Sequence, residues 1–345
     1  MSEIAIIGDR FMLPEAFATA LRPVVGEGAR LRTLELPWPD EPMTHGYADP
    51  GLAGLKEYQG DPDAMAEFIG DAPILVDHLA PVTAGMLDRL PRLKLIAVSR
   101  GGPVNIDMAA ARERGVLVVN TPGRNASAVA EFTIAAILAE TRLIRAGHEA
   151  LRQGIWRGDL YRADFTGTEL SELTVGLIGY GLIGTRVVKL LKPFGCRILV
   201  ADPYVELSPE DAADGVVMTD LDTLLAQSDV VSLHARVTEE TRGFLAAPQF
   251  ARMKRGAYFI NTARGPMVNY DDLYVALAGR HLRGAMLETF WQEPTPPEAP
   301  LLKLDNVTLT PHIAGASTTT VRIAARMVAE EVRRWLAGAP PLNPC

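Results

Sequence analysis

Short apolar runs closed by turn residues alternate along this chain with segments of helical periodicity. Ile4-Ala5-Ile6-Ile7 stops at Gly8-Asp9, and the positions after Pro14 return to helical spacing. Pro73–Val76 runs into Asp77-His78-Leu79-Ala80-Pro81, and Leu93–Val98 into Ser99-Arg100-Gly101-Gly102-Pro103. Val116–Val119 runs into Asn120-Thr121-Pro122-Gly123. Apolar runs this short, bounded by turn formers, suit strands buried on both faces of a parallel sheet. Val129, Phe132, Ala136 and Leu143 recur at helical spacing and predict one long helix over 126–144. A second series begins at Thr174, with strands predicted over 175–178, 198–201, 230–233, 258–260, 285–287 and 307–309. A last helix is predicted from Ser317 to Leu336, stopped by Gly338 and Pro340. The pattern predicts an α/β chain of two doubly wound parallel-sheet domains, which its 345 residues suit. The Pro-rich segment 293–300 reads as a loop.

Composition narrows this picture. Apolar residues make up 48% of the chain and aromatics only 6%, which favours aliphatic packing between helices and sheets. The net charge is -8 and no basic run occurs, which argues against a nucleic-acid partner. Two cysteines, Cys196 and Cys345, are too few for a disulfide framework, so a reducing, cytoplasmic setting is expected. The opening segment, Met1 to Gly8, carries acidic Glu3 and no basic stretch, so no secretory signal is expected. No apolar stretch has the length of a membrane span. No metal-ligand spacing stands out.

The strongest local motif is Gly179-Tyr180-Gly181-Leu182-Ile183-Gly184, directly after the apolar run Val175–Ile178. A G-x-G-x-x-G alone is weak. Here a helix is predicted next, with Ile183, Val187, Leu190, Leu191 and Phe194 on one face, and a second strand ends at Ala201-Asp202. The whole is a dinucleotide-binding fingerprint. Gly179 permits the tight turn, Gly181 lets a pyrophosphate approach the backbone, and Gly184 lets helix pack on strand. The helix N-terminus offers N–H groups to the phosphates. Asp202 would accept from ribose hydroxyls and repel a 2′-phosphate, which favours NAD over NADP.

Three later strands end in residues suited to catalysis. Asn261-Thr262-Ala263-Arg264-Gly265 ends one in a guanidinium. Glu288-Thr289-Phe290-Trp291-Gln292-Glu293 ends another in acids, and Thr310-Pro311-His312-Ile313-Ala314-Gly315 ends the last in an imidazole. Ligands of open α/β sheets gather beyond these carboxyl ends.

Together with GGPVNID (101–107) and NTPGRNASAVAE (120–131), these phrases resemble the D-isomer-specific 2-hydroxyacid dehydrogenase family, of the phosphoglycerate dehydrogenase-like kind, over nearly the whole chain. The resemblance implies a flavodoxin-like substrate domain over 1–120 plus 314–345 and a Rossmann NAD domain over 121–313. It implies hydride transfer between NAD(H) and C2 of a D-2-hydroxy acid or its 2-oxo acid, with phosphoglycerate, hydroxypyruvate and glyoxylate as candidates. Arg264, Glu293 and His312 would form the catalytic set. His312 would exchange the hydroxyl proton, Glu293 orient the imidazole, and Arg264 clamp the substrate carboxylate. Arg100, Gly101, Gly102 and His78 would add substrate contacts from the first domain.

The cofactor would meet the glycine loop and Asp202, then His234, Ala235, Arg236 and Thr241. Thr262, Ala263, Arg264, Glu288, His312, Ala314 and Gly315 would complete its surroundings. A homodimer built on the NAD domain is also implied. The chain departs from the family pattern at Glu288, where aspartate is usual, at Arg236, where proline is common, and at Pro103-Val104. It ends soon after the last helix, so no regulatory domain is expected. Two other readings stay open: an NAD(H)-sensing binding protein of the corepressor type, and a phosphite-type dehydrogenase. A formate-type enzyme is disfavoured, since that subgroup has glutamine where Glu293 stands.

Overall fold

The computed structural model describes residues 3–38, 52 and 54–345, so Met1 and Ser2 of the opening segment lie outside it. The chain forms two compact units, Met1–Asn125 with Ala316–Cys345, and Ala126–Gly315.

The first unit holds β1 (Glu3–Asp9), β2 (Arg30–Leu36), β3 (Ile74–Asp77), β4 (Leu95–Val98) and β5 (Leu117–Val119). They form one parallel sheet in the order β2-β1-β3-β4-β5, the flavodoxin-like arrangement with its switch point between β1 and β3. Side chains alternate across each strand, so the apolar runs feed both faces. Ile4, Ile6, Ile74, Val76, Leu95 and Ala97 pack under Phe17 and Leu21 of the helix Pro14–Val25, and under Ala324, Val328 and Val332 of the helix Thr318–Leu336. Ala5, Ile7, Leu75, Ile96 and Val98 face Met65, Ile69, Met86 and Leu87. The tail helix thus returns to the first unit, its N-terminus capped by Ser317 Oγ, which accepts from Thr320 N at 3.0 Å. Strand β2 carries no continuous apolar run. It pairs on one side only, at the edge, and leaves Arg30, Arg32 and Glu35 outside the core.

The second unit holds β6 (Thr174–Ile178), β7 (Arg197–Ala201), β8 (Val217–Met218), β9 (Val230–Leu233), β10 (Tyr258–Asn261), β11 (Gly284–Leu287) and β12 (Val307–Leu309). Their order is β12-β11-β10-β9-β6-β7-β8, again all parallel. This is the dinucleotide-binding order, reversing between β6 and β9. The two-residue β8 is too short to show as a pattern.

Two helices differ from the periodicity. The helix predicted over 126–144 ends at Thr141, and a second helix, Ile144–Arg152, starts after Leu143 turns left-handed at φ 56°. At the break Gly167 passes so close that a Cβ there would lie 2.0 Å from Thr141 O. After the glycine loop, the helix Gly184–Leu191 buries Gly184, Val187, Val188 and Leu191, whereas Leu190 and Phe194 are exposed. Leu190 lies on the flank of that stripe, and Pro193 turns the chain into a 3-10 segment before Phe194.

Glu140 is buried on the helix Ala126–Thr141, where Thr308 Oγ1 donates to its Oε1 and Arg145 Nε stands 3.8 Å away. Burial pushes its carboxyl up to about 7. The unfolded carboxyl ionises near 4.5, so the stability of the neutral buried form is complete below that pH and is lost as pH rises through 7. Replacing Glu140 by Gln removes the titration. Denaturant melts of Glu140→Gln should show a shallower fall in stability between pH 5 and 8, with a gain of about 1–3 kcal/mol over the parent at pH 8.

Candidate active site

At the end of β10, Asn261 Oδ1 accepts from Ala263 N at 3.0 Å and bends the chain into a turn. Thr262 is buried there, its Oγ1 2.9 Å from Thr133 Oγ1. The turn projects Arg264 outward. Its Nη1 donates to Ala263 O at 2.7 Å, and it makes no ion pair among the described residues. The rest of its five-donor fork is left for an anion. Gly265 follows because nothing larger fits: a Cβ would lie 1.7 Å from Phe290 O.

That contact seats the loop after β11. Phe290 N donates to Glu293 Oε1 at 2.9 Å, and Tyr270 Oη donates to Thr289 O. Glu293 Oε2 lies 2.7 Å from His312 Nδ1. A carboxylate can only accept, so Nδ1 carries the proton and proton exchange falls to Nε2. His312 sits at φ 55°, the left-handed region, and its N–H donates to Glu288 O at 3.0 Å and Thr310 O at 3.1 Å. Glu288 is buried, and its Oε1 accepts from Ala314 N at 2.8 Å. Burial pushes this carboxyl up to about 7, against the opposing effect of His312. An unbroken series of contacts therefore links Arg264, Gly265, Phe290, Glu293 and His312.

Beside β6 the glycine loop has the shape a dinucleotide needs. Gly179 stands at φ 103°, where a Cβ would meet His234 C at 2.7 Å, and a Cβ on Gly184 would lie 2.2 Å from Gly179 O. At Gly181 a Cβ would meet nothing within 4 Å, so the space over its backbone is open. No side chain caps the helix Gly184–Leu191, which leaves its N–H groups to a ligand. Asp202 accepts from Tyr180 N at 2.8 Å and Tyr204 N at 2.9 Å, which holds its carboxylate at the tip of β7.

Residues 134–314 match the model for "D-isomer specific 2-hydroxyacid dehydrogenase, NAD binding domain". A glyoxylate reductase of Thermofilum pendens is 37% identical over 311 residues, 87% of this chain and 92% of that protein. A D-3-phosphoglycerate dehydrogenase of Archaeoglobus fulgidus is 38% identical over 282 residues, 80% of this chain but 52% of that protein. The crystal structure of the TT0316 protein from Thermus thermophilus superposes with a TM-score of 0.77 at 32% identity, over 99% of both chains. The chain belongs to the D-isomer specific 2-hydroxyacid dehydrogenase family. It is an NAD-dependent oxidoreductase acting on CH–OH donors, with hydride transfer between hydroxy and oxo acids as its reaction.

In this dehydrogenase the open Gly181 backbone, the uncapped helix and the fixed Asp202 fit NAD. The other residues expected around the cofactor fall into two groups. Arg236 is exposed and Thr241 half-buried, and Leu182 is exposed beside half-buried Ile183. His234 is buried instead, its Nε2 2.9 Å from Ser232 Oγ and its backbone beneath Gly179, so the ring supports the loop from below. Burial pushes its imidazole down to about 4, which keeps it neutral. Ala263 and Ala314 are buried, and Glu288 braces the His312 turn. The longer glutamate side chain reaches Ala314 N from the floor of the site.

In the first unit Gly101 is exposed and Gly102 half-buried, open turns where a Cβ would meet nothing within 4 Å. Arg100 is held by Glu57, donating to its carboxylate and, at 2.9 Å, to its carbonyl. His78 lies inside the unit, 4% exposed, with Nδ1 2.5 Å from Asp9 Oδ2. Asn261 opens the NTARG phrase and Tyr270 follows it closely, whereas Thr133, which meets Thr262 across 129 residues, shows no sequence signal.

Gly265→Ala tests the contact that seats Glu293. The added methyl must displace the 290–293 loop, so kcat/KM should fall at least about tenfold, while NADH affinity, read by fluorescence titration, stays within about threefold.

Proposed function

We propose that Arg264, Glu293 and His312 carry the reaction on a small 2-oxo or D-2-hydroxy acid, the observation that supports this most being the 2.7 Å bond from Glu293 to His312 Nδ1. NAD, when bound along the glycine loop, supplies or accepts the hydride. Reduction builds negative charge on the carbonyl oxygen at C2, and His312 Nε2 hands that oxygen its proton. In oxidation the same nitrogen removes the hydroxyl proton. Glu293 holds the ring in one tautomer and one orientation throughout. Arg264 takes the substrate carboxylate in its planar fork, which fixes C2 relative to His312. In the first unit, Gly101 and Gly102 would offer backbone N–H groups to a carboxylate, their lack of side chains leaving that approach open. Glyoxylate, hydroxypyruvate and phosphoglycerate-type acids belong to the class this set would serve; the relatives named for glyoxylate and phosphoglycerate support the same class.

We further propose a homodimer formed through the second unit. Ile144, Leu151, Ile155, Trp156 and Tyr161 all lie exposed within one short stretch, Trp156 at 84% and Tyr161 at 94%. A cluster of large apolar side chains this dense on a surface marks a protein interface. The two free thiols, Cys196 and Cys345, suit a reducing compartment such as the cytoplasm. No described helix is long and apolar enough to cross a membrane.

Two experiments bear on these readings. His312→Ala should lower kcat on glyoxylate or hydroxypyruvate by about 100- to 10,000-fold with NADH binding nearly intact. Turnover at the parent rate removes His312 from the chemistry. Trp156→Glu with Tyr161→Glu should convert a dimer to a monomer in light scattering at micromolar concentration, and a parent protein that is itself monomeric there refutes the dimer.

A further inference from the structure

The first unit carries a concentration of ionisable groups that this chemistry leaves aside. They gather at the carboxyl ends of its strands: Asp9 on β1, Asp77 and His78 at β3, Arg100 after β4 and Arg124 after β5. β1 and β3 flank the switch point of this sheet, which is where open parallel sheets take ligands.

All but one of these groups are satisfied within the unit. Asp9 Oδ1 accepts from Phe11 N and Met12 N, both at 2.8 Å, and its Oδ2 meets His78. Asp77 accepts from Ala80 N at 2.9 Å and Asn105 Nδ2 at 2.7 Å. Arg100 is engaged by Glu57. Arg124 is the exception. Its guanidinium lies over the Phe11 ring, 5.8 Å from the centroid. Its Nη1 is buried with no hydrogen-bond acceptor, and it forms no ion pair among the described residues. Asp9 acts on it only through space. Burial and the like charge of Arg100 push Arg124 down to about 10, which still leaves it a cation at neutral pH.

A half-buried cation with a buried, unmet donor, beside a second cation, costs stability that an arriving anion would recover. The guanidinium fork matches the planar oxygens of a carboxylate or the face of a phosphate. We propose that Arg124 is the principal ligand of an anion subsite at the β1–β3 switch point of the first unit, taking a carboxylate or phosphate group. Arg100, tied to Glu57, contributes charge at a distance.

The test uses the full chain and two probes, inorganic phosphate and malonate, with Arg124→Met to keep the apolar stem on Phe11 and Arg124→Lys to keep the charge. Calorimetric titration should show saturable binding to the parent, a loss of about 10- to 100-fold in Arg124→Met, and partial recovery in Arg124→Lys. No saturable binding of either probe by the parent, or equal binding by Arg124→Met, overturns the subsite. The probe that the parent binds more tightly identifies the anion as carboxylate or phosphate.

Discussion

The hydrogen bond between His312 Nδ1 and Glu293 Oε2 organises the carboxyl edge of the second unit. An imidazole can serve a proton transfer only if one nitrogen is committed and the other is presented in a fixed direction. Here that commitment is built from behind. Phe290 N holds the other carboxylate oxygen of Glu293, and Gly265 lets the Phe290 carbonyl approach the Arg264 turn. His312 itself adopts a left-handed backbone, an uncommon state for a side chain with a Cβ. The Glu288 carbonyl, the Thr310 carbonyl and the Glu288–Ala314 contact hold it there. Local strain of this kind persists where the surroundings over-determine it.

Both units place their ionisable groups by one topological rule and use them differently. In each sheet the strand order reverses once, and the loops on either side diverge to leave a crevice. In the second unit the loops at that edge present the open Gly181 backbone, an uncapped helix and an exposed arginine. In the first unit they bury their polar groups, among which Asp9 meets His78 and Asp77 accepts from Asn105 Nδ2. A satisfied polar network rigidifies a core, whereas an unmet donor marks a place where something else can bind. Among the described ionisable groups at these strand ends, Arg124 is the one with an unmet donor.

The buried carboxyls show what these arrangements cost. Glu140, Glu288 and Asp77 are all held toward their neutral forms by burial, Asp77 up to about 8. Each hydrogen bond that offsets the burial ties one segment to another: Glu140 to Thr308, Glu288 to Ala314, Asp77 to Asn105. The geometry of the loops is therefore coupled to the protonation of these carboxyls.

The amino-acid sequence by itself determined the strands with continuous apolar runs, the glycine fingerprint with Asp202, and the family phrases containing Arg264, Glu293 and His312. Such features are local: burial on both faces demands an unbroken apolar run, and a tight turn over a pyrophosphate demands glycine at set spacings. The edge strand β2 and the two-residue β8 escaped that reading because an edge buries only part of its side chains and a very short strand has no period. Periodicity also ran the helix through Leu143 and put Leu190 and Phe194 on the buried face, since it cannot see a close approach such as Gly167 on Thr141. Only the tertiary structure decided that His78 and His234 are buried, that Arg100 is bound to Glu57, and that Arg124 Nη1 finds no acceptor among the described residues. Those outcomes depend on which side chains from distant strand ends meet, and hydrogen-bond partners separated by many residues leave no mark in the local pattern.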